Sequence, residues 1–198
     1  MCDRTVDGVL EVPTGRLRSC GRERRARALV RAHFDSVWRV LRRLGVASAD
    51  VDDAAQQVFW VAVRKITPEP SPTDGAFLLS IAIRVAAEYR RRARNRRETL
   101  GHESFERPDP GRTPEERVEL KRAVTLADRI LESMPWEQRV VFVLYEIEEQ
   151  TTPEIAHLLQ IPVGTAASRL RRARESFAEG VARLRARHAM GGRRCTNR

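Results

Sequence analysis

The chain has 198 residues, of which 37 are Lys or Arg and 27 are Asp or Glu, for a net charge of +10, a balance that suits a polyanionic partner. Almost all of the positive charge is Arg, because Lys occurs only at Lys65 and Lys121; a GC-rich genome gives the same bias, so clustering counts for more than the total. There is no run of about 18 apolar residues and no signal-peptide start, and Cys2, Cys20 and Cys195 are too scattered for a disulfide framework or a four-ligand zinc site, so the expectation is a cytoplasmic protein without membrane insertion.

Residues 1–23 mix Gly, Pro, Arg and isolated apolar residues without periodicity, which predicts a poorly ordered basic extension. From Glu23 to Leu44, the residues Val30, Phe34, Val37, Trp38, Leu41 and Leu44 trace one face of an amphipathic helix that Gly45 ends. A second helix, from Ala49 or Asp50 to Ile66, places Val51, Ala55, Val58, Phe59, Ala62 and Ile66 on a buried stripe. Asp50, Asp52 and Asp53 in its first turns favour a helix N-terminus through the macrodipole, and capping alone accounts for them.

Pro68, Pro70 and Pro72 make Thr67 to Asp74 a connector. A third helix runs from Gly75 to Arg94 with Phe77, Leu78, Ile81, Ala82, Val85 and Tyr89 facing inward, and it ends in Arg90, Arg91, Arg92, Arg94, Arg96 and Arg97. Cations favour a helix C-terminus, but this run exceeds what capping needs. A basic helix preceded by aromatic residues suits a strand whose bases are unstacked.

Gly101 to Pro114 is rich in Gly, Pro and charge and reads as a linker. Thr113-Pro114-Glu115-Glu116 starts the next helix, which continues through Val118, Leu120, Val124, Ala127, Ile130 and Leu131. After Pro135 comes an apolar helix, Val140 to Ile147, and an acidic corner at Glu148-Glu149. Thr151 and Glu154 have capping-box spacing, so a helix is predicted to start at Thr152, with Ile155, Ala156, Leu158 and Leu159 on its buried face. Ile161-Pro162-Val163-Gly164 breaks it.

The following helix runs from Gly164 to Phe177 or on to about Arg187, with Ala166, Leu170, Ala173 and Phe177 recurring at helical spacing and Thr165, Ser168, Arg169, Arg171 and Arg172 projecting elsewhere. Two helices, a tight turn and an Arg-laden second helix make a helix-turn-helix whose second member enters a major groove. An ordinary helical hairpin with solvated arginines is the alternative. Residues 188–198 read as a frayed tail.

The stretch from Leu131 through Pro135 to Arg139, the apolar helix after it, Glu148-Glu149 and IPVGTAASRLRRAR resemble region 4 of bacterial sigma factors, most closely the small extracytoplasmic-function group, over about Leu126 to Phe177. Ala167 stands where that family often has Lys. Asp52-Asp53-Ala54-Ala55-Gln56-Gln57-Val58-Phe59 resembles the core-binding helix of region 2, with Gln57 in a Glu position and Ala54 where Leu is frequent. Phe77 to Arg92 resembles the segments that open and read the −10 element, with Phe77 in a usual Trp position and Arg84 in a common Asn position.

The resemblance implies an all-α fold of two small helical domains, a region 2-like unit at 24–97 and a region 4-like helix-turn-helix unit at 116–187, joined by a flexible linker at 98–115. It implies a specificity subunit that takes core RNA polymerase, through the β′ clamp and β flap, to promoter DNA. Asp52, Asp53, Gln56 and Gln57 would face the clamp helices. Phe77, Arg84, Arg90, Arg91 and Arg92 would hold the melted −10 strand, and Thr165, Ser168, Arg169, Arg171 and Arg172 the −35 duplex. In the family the linker threads polymerase near the active-site cleft, and many members are held inactive by an anti-sigma protein, so such a partner is expected.

No P-loop, Rossmann glycine pattern, HExxH or nucleophile elbow is present. His33, His102, His157 and His188 share no ligand spacing with a Cys, and His188 with Cys195 is too thin a basis for a metal site. The expectation is therefore no enzyme, no cofactor and no metal. A stand-alone helix-turn-helix regulator would use the same C-terminal helices but leaves the Asp52 to Phe59 string and the Arg90 to Arg97 run without a role.

Overall fold

The computed structural model describes residues 14–65, 67, 69, 71, 73–96 and 114–191, and these residues form seven α-helices and no strand. Helices α1 (Thr14–Arg43), α2 (Val51–Lys65) and α3 (Asp74–Arg96) pack on one another, and α4 (Pro114–Ser133), α5 (Trp136–Glu146), α6 (Thr152–Leu159) and α7 (Val163–Gly191) form a second group. The first part of the basic extension, most of the linker, Ile66, the connector prolines, Arg97 and the end of the chain from Gly192 with Cys195 lie outside the described residues, while residues 188–191, expected in a frayed tail, continue α7.

α1 reaches back to Thr14 instead of beginning near Glu23. Arg, Ala and Leu are good helix formers, and extending an existing helix adds one hydrogen bond for each residue fixed. Its apolar stripe, Leu29, Val37, Val40, Leu41 and Leu44, is buried against Val51, Ala55 and Val58 of α2 and Leu78, Ile81, Ala82 and Val85 of α3. Phe34 stacks on Phe59 with ring centroids 6.1 Å apart. Asp74, at the start of α3, pairs with Arg25 and accepts a 3.2 Å bond from the Ser71 N–H, which fixes where the connector turns into helix.

In the second group α5 is the central element, with every residue from Arg139 to Leu144 buried. Phe142 stacks on Phe177 of α7 at 4.9 Å, and α7 crosses α4 so closely that a Cβ on Gly180 would lie 2.6 Å from Ile130 Cγ2. α5 ends in a turn through Glu149, at φ 53° in the left-handed region, which directs the chain into α6.

The two groups touch. α3 lies against α6, Arg43 of α1 pairs with Asp128 of α4, Ser36 of α1 donates to Glu148, and Arg139 Nε of α5 donates to the Arg43 carbonyl at 2.6 Å.

Candidate nucleic-acid interface

The helix-turn-helix is set by its caps. Thr151 is the N-cap of α6, its Oγ1 accepting from the Glu154 N–H at 3.4 Å while the Glu154 carboxylate accepts from the Thr151 N–H at 2.7 Å. The Thr151 hydroxyl also donates to that carboxylate at 2.6 Å, and this bond together with the one from the Thr151 backbone N–H holds the Glu154 carboxyl below its ordinary range. Gln160 ends the helix in the left-handed region at φ 55°, and Pro162 caps α7 by accepting from the Thr165 and Ala166 N–H groups at 2.9 and 3.1 Å. Ile155 and Ala156 are buried with Ala166, Leu170 and Ala173, and the three alanines let the two helices meet closely.

What α7 leaves outward is the basic set read in the sequence. Ser168, Arg171 and Arg172 are exposed, and Thr165 and Arg169 are half-buried at the border of the apolar face. Thr165, Ser168 and Arg172 follow one another along the helix at three- and four-residue steps, which aligns them on one side. Arg171 is bound to Glu175 at 2.6 Å, and Arg174 is bound to Glu146 at 2.7 Å with its guanidinium over the Tyr145 ring. Arg169 and Arg172 hold no ion pair among the described residues. They are the cations of this set with no carboxylate to give up.

On α2, Asp53 and Gln56 are exposed, Gln57 is half-buried, and Asp52 accepts a 3.0 Å bond from Trp38 Nε1. The same face carries Trp60, 59% exposed, with the Arg64 guanidinium 3.6 Å over its ring. Trp60 was not singled out in the sequence, although its phase could have found it. Nine residues beyond Val51, at about 100° per residue, it points away from the apolar stripe, and an aromatic residue there has no core to fill.

On α3, Phe77 and Arg84 line one cleft of about 1060 Å³, whose opposite wall is Glu148, His157 and Leu158 of the second group. Arg91 is exposed, and Arg92 is tied to Glu88 and lies 5.5 Å from the Tyr89 ring. Arg90 is placed apart from these: its guanidinium covers the Trp136 ring of α5 at 4.4 Å, and burial lowers its pKa. The predicted −10 residues thus divide between a cleft, an exposed helix end and a contact with the other group. Among the described residues no cluster of His, Cys, Asp and Glu is arranged to hold a metal ion, and no helix is long and apolar enough to cross a membrane.

Residues 29–96 match the family model for sigma-70 region 2, and residues 125–177 match that for sigma-70 region 4. The chain is 30% identical over 156 residues to the ECF RNA polymerase sigma factor SigE of Mycolicibacterium smegmatis, a match that takes in 78% of this chain and only 61% of that relative. It is 31% identical over 143 residues to the ECF RNA polymerase sigma-E factor of Escherichia coli, covering 67% of this chain and 74% of the relative.

Among solved structures, CnrH in complex with the cytosolic domain of CnrY is similar with a TM-score of 0.57 and 25% identity, over 86% of this chain and 96% of that one. The sigma factor RpoE of Bartonella quintana, solved with the anti-sigma factor NepR, shares the fold at a TM-score of 0.58 and 15% identity, over 77% of this chain and 94% of that one. With both family models matched in order, α1 to α3 correspond to region 2, and the C-terminal half of α4 with α5 to α7 corresponds to region 4. The chain belongs to the extracytoplasmic-function group of the sigma-70 family of RNA polymerase sigma factors.

Proposed function

We propose that this chain is a promoter-specificity subunit that binds core RNA polymerase, grips the −35 duplex with α7 and holds the melted −10 strand with α3. The observation that carries the reading is the occurrence, in one chain and in order, of a region 2 unit and a region 4 unit. A stand-alone helix-turn-helix regulator explains only the second. Core polymerase supplies the chemistry, and the chain is not an enzyme.

The α2 face formed by Asp52, Asp53, Gln56 and Gln57 is the surface for the β′ clamp, and region 4 meets the β flap. Trp60 extends the α2 face as an aromatic anchor, the residue type that most often dominates protein interfaces. On α7, Arg169 and Arg172 carry the phosphate contacts, Arg171 a weaker one, and Thr165 and Ser168 approach base edges or phosphate oxygens. On α3, Phe77 offers a ring for a base and Arg84 a guanidinium for a base or phosphate, with Arg91 and Arg92 along the backbone and Arg90 joining them once it leaves Trp136.

The protein works in the cytoplasm. An anti-sigma protein is the expected regulator, a reading supported by the NepR complex of its structural relative.

Gel filtration of the full chain with purified core polymerase tests the proposal. Co-elution in a one-to-one complex is expected, and tight binding to duplex DNA as a dimer without any affinity for core would support the regulator instead.

A further inference from the structure

Helix α1 starts at Thr14, well ahead of the region 2 match that begins at residue 29. Thr14 to Ala28 holds six arginines against one carboxylate, Glu23, a net +5 of the chain's +10. Part of this stretch stands off the core. Every residue from Gly21 to Arg24 is exposed, a Cβ on Gly21 would meet nothing within 4 Å, and the first buried apolar residue of α1 among the described residues is Leu29. A helix polar on all sides is ordinarily held by many ion pairs between successive turns. Here Arg27 is bound to Glu23 at 2.6 Å, while Arg22 and Arg24 hold no ion pair among the described residues.

The extension is fixed beside the residues assigned to the −10 strand. Arg25 pairs with Asp74 at the start of α3, both side chains being nearly buried, and a Cβ on Gly75 would lie 3.7 Å from His33 Cε1, so α1 runs along that end of α3. Arg22 precedes Arg25 by three residues and shares its side of the helix, and Phe77 follows Asp74 by three. Each therefore stands about 4.5 Å along its own helix from the same contact. A phosphate that Arg22 reaches belongs to the stretch of DNA whose base lies on Phe77.

The exposed side chains select the class of partner. A protein interface centres on aromatic and apolar anchors, with charge kept to its rim, and a helix that lies on a membrane needs a broad apolar face. The exposed residues between Gly21 and Ala28 offer neither. Arg22 and Arg24 are two residues apart, about 200° around the helix, and so face opposite ways. The phosphates of the two strands do the same across a major groove wide enough for a helix.

We propose that Thr14 to Ala28 is a DNA-backbone arm, which lies in the duplex flanking the −10 element with Arg22 and Arg24 on opposite strands and Arg27 joining them when it leaves Glu23. Its helix spans about 22 Å, or about six base pairs at 3.4 Å each, and lengthens the region 2 footprint by that amount. The position beside the −10 element rests on the assignment of α3 to that element; the affinity of the arm for duplex DNA does not.

The first test needs no promoter. The full chain is titrated into a labelled duplex of scrambled sequence, about 30 base pairs long, between about 50 and 200 mM salt, beside a variant carrying Arg22→Gln, Arg24→Gln and Arg27→Gln. Each phosphate contact adds about 0.9 to the slope of log affinity against log salt, so the variant should lose about 2 to 2.7 of it. Arg122→Gln, Arg129→Gln and Arg185→Gln, at three exposed positions of region 4 and α7, remove the same charge and should keep the wild-type slope, with circular dichroism unchanged in both. An arm variant with the wild-type slope, or a control that falls as far, overturns the arm.

The second test uses the holoenzyme on a promoter fragment recovered by run-off transcription, with p-benzoylphenylalanine in place of Arg22 or of Arg24. Crosslinks to opposite DNA strands within about six base pairs of the −10 element are expected, and crosslinks to polymerase subunits alone would overturn DNA as the partner. A lowered slope on the scrambled duplex, with no promoter complexes from the wild-type chain, upholds the DNA arm and overturns the assignment of α3 instead.

Discussion

Replacing Arg172 by Ala should weaken binding to the −35 duplex and flatten its salt dependence, and replacing Arg171 should do so less. The difference follows from where the two guanidinium groups stand before DNA arrives. Arg172 is exposed with no carboxylate among the described residues, whereas Arg171 already lies 2.6 Å from Glu175 and must exchange an exposed ion pair worth up to about 1 kcal/mol.

Each phosphate neutralised adds about 0.9 to the slope of log affinity against log salt, so over the fourfold range from about 50 to 200 mM one lost contact removes roughly a 3.5-fold change in affinity. If Arg172 reads a base edge instead, the loss is about 1–3 kcal/mol and preference relaxes at one position. The assay is fluorescence anisotropy of a labelled −35 duplex, titrated with the chain bound to core polymerase across that salt range and repeated on scrambled elements. Unchanged affinity, slope and preference for both Arg172→Ala and Arg169→Ala would refute the placement of α7 in the groove.

Four further outcomes are expected. Asp53→Ala with Gln56→Ala should weaken association with core, and adding Trp60→Ala should weaken it further, with circular dichroism unchanged; wild-type affinity in both variants would remove α2 from the polymerase contact. Arg84→Asn should shift the −10 preference more than it lowers total activity, because Arg is donor-only and permanently charged whereas Asn both donates and accepts; identical sequences enriched from a randomised −10 library would contradict this.

Gly45→Ala should cost about 1–2 kcal/mol for the left-handed backbone and about 1–3 kcal/mol more for crowding Arg139, read by denaturant unfolding, with the second part absent in an Arg139→Met background. Glu154, whose pKa is lowered by Thr151, contributes stability that is present above the ordinary carboxylate range and lost as pH falls through its depressed value, because there the unfolded chain binds more protons. A carbon-detected titration of Glu154 should show the depression shrink in Thr151→Val, which loses the hydroxyl and keeps the backbone N–H donor, and an equal pKa in both proteins would count against the capping box.

The helices that rest on local chemistry were legible in the sequence. Thr151 and Glu154 announce the start of α6 because the capping box needs nothing beyond four consecutive residues, and the stripe Val51, Ala55, Val58, Phe59 and Ala62 repeats at helical spacing and is buried. Family resemblance in the Asp52 to Phe59 string and in the α7 arginines added what spacing could not, namely a proposed partner for each face. The start of α1 was misplaced because its first turns carry arginines and no apolar period, so pattern gave no signal where propensity and helix extension decide.

Arg139 was read as part of a motif, and nothing in its neighbours indicates that it is buried. Its partner is the Arg43 carbonyl 96 residues away, in a space that Gly45 leaves open. Docking between two helical units depends on such non-local pairs. The same pairs place Arg90 against Trp136 rather than beside Arg91.

The most direct measurement is run-off transcription with purified core polymerase, this chain and a pool of genomic promoter fragments. The expected result is a discrete set of start sites that core alone does not produce, sharing −35 and −10 elements and lost when Arg172 and Arg84 are replaced together. Start sites identical with and without the chain, under conditions where it binds core, would contradict its role as a promoter-specificity subunit.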